Sequence, residues 1–108
     1  MHLRFDIEDI DYLRRKEGID DVELHEDIRG LRIGDHVRLT FLVKDKSLTR
    51  ETLLVRITRI QGECLRGRLA DQPVSRGLSK LQLGSRIEFA ADHIHSIAPA
   101  APKARTGK

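Results

Sequence analysis

Beyond residue 31 apolar and polar side chains alternate over most of the chain, and a period of two fits a half-buried β-strand. Over residues 34–43, Val37, Leu39, Phe41 and Val43 alternate with His36, Arg38, Thr40 and Leu42. Residues 44–50 are a polar loop, and 51–60 form a second strand with Leu53, Val55 and Ile57 on one face. Gln61-Gly62 predicts a tight hairpin turn, since glycine supplies the positive φ that such turns need. Residues 63–70 return with Leu65, Gly67 and Leu69 inward and Arg66 and Arg68 outward, and the Asp71-Gln72-Pro73 stretch stops the strand. After a longer loop, residues 85–89 and 93–97 predict two more short strands.

Two segments echo each other. Leu31-Arg32-Ile33-Gly34-Asp35-His36-Val37-Arg38-Leu39 and Leu81-Gln82-Leu83-Gly84-Ser85-Arg86-Ile87-Glu88-Phe89 share the order apolar-x-apolar-Gly-polar-x-aliphatic-x-apolar. Each reads as a bend at glycine feeding an alternating strand. Five strands, one long hairpin and these bends predict a mainly β (α+β) fold: a small bent antiparallel five-stranded sheet or SH3-like partial barrel with an N-terminal helix. Gly67 in mid-strand fits sharp curvature or a close backbone approach.

The N-terminal region has another period. Ile7, Ile10 and Leu13 recur at helical spacing, with Asp6 as the starting cap and Gly18 as the terminating glycine. Acids precede bases along this stretch, which complements the helix dipole. Residues 22–29 predict one or two further helical turns, with Leu24 and Ile28 on one face and Gly30 at the end. The last stretch is rich in Ala, Pro and Lys and has no apolar period. The organisation is therefore an acidic helical segment (1–30), a small β-barrel-like domain (31–97) and a disordered basic tail (98–108).

The net charge of +3 hides a division. Residues 1–30 hold ten acids and five bases, and the remainder holds seven acids and fifteen bases. A basic body with an acidic arm suits an anionic partner, or an arm that folds onto the body. Apolar runs are far shorter than the ~20 residues of a membrane span. The first residues lack the apolar core of a secretory leader, and the single Cys64 cannot form an internal disulfide, so the expected setting is cytoplasmic, with no membrane partner.

Chemistry-bearing patterns are sparse. No Gly-x-Ser-x-Gly elbow surrounds any serine, and the glycines fit neither phosphate-loop nor dinucleotide spacing. The expectation is a non-enzymatic module without a cofactor. His93-x-His95 is the one local motif that could ligate a metal, if alternation put both rings on one strand face and Asp92, Glu88 or His36 supplied a third ligand. The plainer reading is a surface pair on an edge strand.

The order of Glu51 to Val55, Gly67-Arg68-Leu69, Pro73, Leu81 to Gly84, Ile87 to Phe89 and His93-Ile94 resembles the YegJ-like small bacterial domain, a family of unknown function. The likeness covers residues 31–97. Thr52-Leu53-Leu54 stands where the family has an aromatic, and Asp71 where it commonly has Asn. The resemblance implies a bacterial origin and a small α+β or barrel fold, and no substrate.

Two binding readings follow. Arg38, Arg56, Arg66, Arg68 and Arg86 all point outward in this register, a possible polyanion contact and a plausible nucleic-acid platform. Stacking rings are scarce there: Phe41 and Phe89 belong to the core, and Tyr12 is spare. The leading reading is instead a protein-interaction domain of unknown partner. Leu42, Leu54 and Ile60 fall on outward positions, forming an apolar patch that wants a partner or the N-terminal helix. Acids from Asp20 to Asp27, lying across the arginine hairpin, are expected to offset its charge, so that removing residues 1–30 would raise nucleic-acid affinity.

Overall fold

The computed structural model describes residues 5–44 and 48–99. The predicted tail beyond 99 and the centre of the predicted loop at 45–47 lie outside the described residues. In chain order the elements are β1 (Phe5–Ile7), α1 (Ile10–Lys16), α2 (Val22–Arg29), β2 (His36–Lys44), β3 (Leu48–Gln61), β4 (Cys64–Leu69), β5 (Arg86–Ala90) and β6 (Ile94–Ile97). Short 3₁₀ turns at Arg76–Leu78 and Ala91–His93 interrupt the last connections. Among the described residues no helix is long and apolar enough to cross a membrane.

The sheet runs β1-β2-β3-β4-β5, all antiparallel, and β6 returns to β2. β1 and β6 share one edge of β2: β1 pairs with residues 41–43, and β6 with residues 37–39. The Ala91–His93 corner carries the chain from the far edge back to β2, so the bent sheet wraps into a half-barrel. Its interior is the predicted one. Val37, Leu39, Phe41, Leu53, Val55, Ile57, Leu65, Leu69, Ile87 and Phe89 are all buried in one cluster.

Gly67 confirms the close approach expected of it. A Cβ at this position would stand 2.5 Å from the Arg56 carbonyl oxygen and 2.5 Å from Val55 Cγ1. The hairpin loop is Gly62-Glu63, because Gln61 already pairs with Cys64. Gly62 has φ +64°, the sign that the first turn position needs in a II′ geometry.

The N-terminal region departs from its predicted outline. Ile7 belongs to β1 opposite Phe41, and the helix starts later, with Asp9 as the cap accepting the Tyr12 N–H at 2.9 Å. The apolar spacing of Ile7, Ile10 and Leu13 did not distinguish these states, because pairing with β2 captures Ile7 first. α2 matches its predicted bounds, capped by Asp21 and ended by Gly30.

The long β4–β5 connection is not a loose loop. Leu78 within it is completely buried, and Gly77 presses on Val43 where a Cβ would collide with Cγ1. Glu51 anchors the segment by accepting the Val74 and Ser75 N–H groups, each at 2.9 Å. Asp71 accepts the Leu54 N–H at 2.8 Å. Burial raises the Glu51 pKa, but the Val74 N–H and the Ser75 hydroxyl and N–H lower it further, leaving it below the usual carboxylate range. Asp11 is also lowered, chiefly by its hydrogen bond to His25, against burial and with help from Arg15.

A depressed carboxyl pKa stabilises the fold above the unfolded-state pKa, and that contribution is lost as pH falls through the folded value. Denaturant midpoints are therefore expected to be flat above about pH 5 and to fall below about pH 4. Glu51→Gln should lower the plateau and flatten the acid limb. An acid limb unchanged in this variant would remove Glu51 from the account.

Candidate polyanion-binding face

The two echoed segments fold into the same turn. Gly34 and Gly84 have φ +101° and +93°. Arg32 N–H bonds Asp35 Oδ2 at 2.8 Å, and Gln82 N–H bonds Ser85 Oγ at 3.0 Å. Gly34 N–H donates to Ile57 O at 2.8 Å while Ile57 N–H donates to Asp35 O at 2.8 Å. In the second copy Gly84 N–H donates to Leu69 O at 2.7 Å, and Leu69 N–H to Ser85 O at 2.8 Å. The first turn thus locks β2 onto β3 as the second locks β5 onto β4. An approximate two-fold axis through the β3–β4 pair relates the halves, matching Arg56 with Arg68 and His36 with Arg86.

These locks set the register of the outer face. His36 lies opposite Arg56, Arg56 opposite Arg68, and Arg68 opposite Arg86. Directly opposed residues project from the same side of a sheet, so the four form one row across β2–β5. Arg56, Arg68 and Arg86 are exposed. Arg68 Nη1 donates to the Gly84 carbonyl at 3.1 Å, and among the described residues none of these three arginines has an acidic partner.

The other two predicted residues differ. Arg66 faces Glu88 across the strands and is paired with it at 2.9 Å. Arg38 lies on the neighbouring rung of β2, opposite Leu54, and donates to Ser96 Oγ at 3.3 Å. The structure therefore brings Arg56, Arg68 and Arg86 together, keeps Arg38 beside them, and neutralises Arg66. His36, noted in the sequence as outward-facing, completes the row, and the alternation that placed Arg38 outward already placed it there. Arg59 was missed. A register irregularity between Ile57 and Arg59 puts Arg59 opposite Arg66, and the strand pattern carries no signal for it.

The same irregularity corrects the apolar patch. Ile60 pairs with buried Leu65 and lines the barrel mouth, while Leu42 and Leu54 remain half-buried on the outside. The helices pack against β6 and the Ala91–His93 corner, at the mouth.

The expected acidic cover of the arginines is also absent among the described residues. Asp21 pairs with Arg14 at 3.3 Å, Asp11 with Arg15 at 2.8 Å and His25 at 2.7 Å, and Asp20 approaches His25 at 3.8 Å. Capping geometry decides this: Asp21 is committed to the first turn of α2, so its charge stays with the helices.

A second feature lies between helices and barrel: a cavity of about 430 Å³. Ile10, Leu24, Ile28, Ile60, Leu65 and Ile94 give it apolar walls, and Asp11, Arg14 and His25 add polar groups. The histidine motif is broken up. His93 sits in the 3₁₀ corner with Nδ1 accepting the Ala90 N–H at 2.9 Å, and His95 sits on β6, so the two are not alternate residues of one strand. Among the described residues no trio of His, Cys, Asp or Glu is placed to hold a metal ion. Cys64 is exposed at the start of β4.

No protein-family model, no curated protein and no solved structure matches this chain.

Proposed function

We propose that this chain is a non-enzymatic binding module whose outer sheet face holds nucleic acid. One observation carries the reading: Arg56, Arg68 and Arg86 stand in cross-strand register and, among the described residues, none of the three is ion-paired, the neighbouring Glu88 being paired with Arg66. Like charges directly opposite one another destabilise a sheet, so the row costs folding energy that an external polyanion would offset. The return of β6 to β2 across a 3₁₀ corner favours placing the half-barrel among SH3-like folds. Kinship with the YegJ-like bacterial domain belongs to the same proposal. It adds a fold and no ligand, since Glu51 and Gly67 are spent on internal contacts.

Arg68→Glu tests the reading, because the new carboxylate would lie between Arg56 and Arg86. Two repulsive pairs become attractive ones, so the variant is expected to be more stable by about 1 kcal/mol in urea unfolding. In fluorescence anisotropy it is expected to bind labelled DNA at least about tenfold more weakly than the parent at low salt. Unchanged nucleic-acid binding by this variant, or no binding of DNA or RNA by the parent at low salt, would reject the proposal.

The apolar cavity favours a second reading, a protein-interaction module that takes an apolar side chain between the helices and the barrel mouth. Such contacts respond weakly to salt, whereas phosphate contacts weaken steeply, so affinity at two salt concentrations separates the readings.

A further inference from the structure

Resting on the nucleic-acid reading, we infer that the partner is B-form duplex DNA, held across its major groove. Three features of the outer face select it.

The first is width. The row from His36 to Arg86 crosses three strand spacings, about 14 Å in all. The major groove of B-form DNA is about 12 Å wide, the minor groove only about 6 Å. Arg86 ends the row on one side and the half-buried His36 on the other, so each end meets a groove wall, where the phosphates lie. The second is shape. The buried side chains fill the inner side of a sheet that curls around them, so the outer face is convex. The crest of such a face, the β3–β4 pair with Arg56 and Arg68, fits a groove that admits a two-stranded ribbon, and the deep, narrow major groove of A-form RNA shuts it out.

The third is symmetry and composition. The twin Gly34 and Gly84 turns place the row evenly about the Arg56–Arg68 midpoint, as the two backbones of a duplex are placed about a groove. One isolated strand has no second backbone to meet the other half of the row. Binding a single strand also relies on rings that stack on bases, and the described outer positions of β2–β5 carry no Phe, Tyr or Trp, only the half-buried imidazole of His36.

The test uses the intact chain and four labelled probes: a mixed-sequence DNA duplex, each of its separated strands, and the RNA duplex of the same sequence. Anisotropy titrations at low salt are expected to show the DNA duplex bound at least about tenfold more tightly than any other probe. For about three phosphate contacts, affinity should fall on the order of fifty-fold between about 50 and 200 mM salt. The double variant Arg56→Ala/Arg68→Ala, checked for folding by circular dichroism, should lose about two units of the salt slope. Single strands or the RNA duplex bound as tightly as the DNA duplex would overturn this inference and leave the nucleic-acid reading standing. Absence of binding to all four probes, or a folded double variant with full affinity, would overturn both.

Discussion

Replacing Gly67 by alanine is expected to destabilise the domain by about 3 kcal/mol and to lower its melting temperature by about 15 °C. The added methyl would lie 2.5 Å from the Arg56 carbonyl oxygen and from Val55 Cγ1. A side chain could rotate away, but the carbonyl is part of the β3–β4 ladder, so relief requires the two strands to separate. Arg56 and Arg68 are paired on this ladder, so the strain reaches the candidate site as well. Gly30→Ala is the control. Its methyl would meet only the Asp27 carbonyl oxygen, at an ordinary 3.6 Å, and the expected change is within about 0.5 kcal/mol. A Gly67→Ala protein with parental stability would show that the strands part without cost.

Removing residues 1–30 is expected to have a still larger effect, about 5 kcal/mol, comparable to the whole stability of a small domain. The deletion takes away β1, which pairs with residues 41–43 of β2, and α1, whose Ile10 is buried. It also removes Leu24 and Ile28, which close the barrel mouth over Leu65 and Ile94. Broad, non-cooperative unfolding and dye binding to exposed apolar surface should report the loss. This reverses the sequence expectation that the segment serves as an acidic cover for the arginines. Neutralising Asp20 and Asp27 to Asn in the intact chain should accordingly leave DNA affinity within about twofold at physiological salt. A truncated chain that unfolds cooperatively with parental stability would show that the segment is dispensable to the fold.

Local physics made most of the barrel legible. Alternation alone placed Val37, Leu39, Phe41, Val55, Leu65 and Phe89 inside, because a strand has only two faces and one of them must leave water. The outward sense of the five arginines followed from the same rule. Helix α2 was legible because Leu24 and Ile28 share one helical face and Gly30 marks the end, while the Asp21 cap emerged only in the folded chain. The echoed glycine segments were visible as a pattern, and both fold into one turn because each needs a residue at positive φ followed by a polar side chain that caps it.

Other features depended on which strand lies beside which. Ile7 has helical spacing yet pairs with Phe41, since a free strand edge outweighs a weak local preference. Leu78 lies in a polar, period-free stretch, and only the folded chain shows that it fills the barrel beside Val43. The register irregularity after Ile57 moves Ile60 to the rim of the barrel mouth, opposite Leu65, a one-residue shift that no two-residue period can announce. The candidate site divides in the same way. That arginines face outward is a property of each strand alone. That Arg56, Arg68 and Arg86 form one row while Arg66 is spent on Glu88 is a property of register, set by hydrogen bonds between residues far apart in the chain.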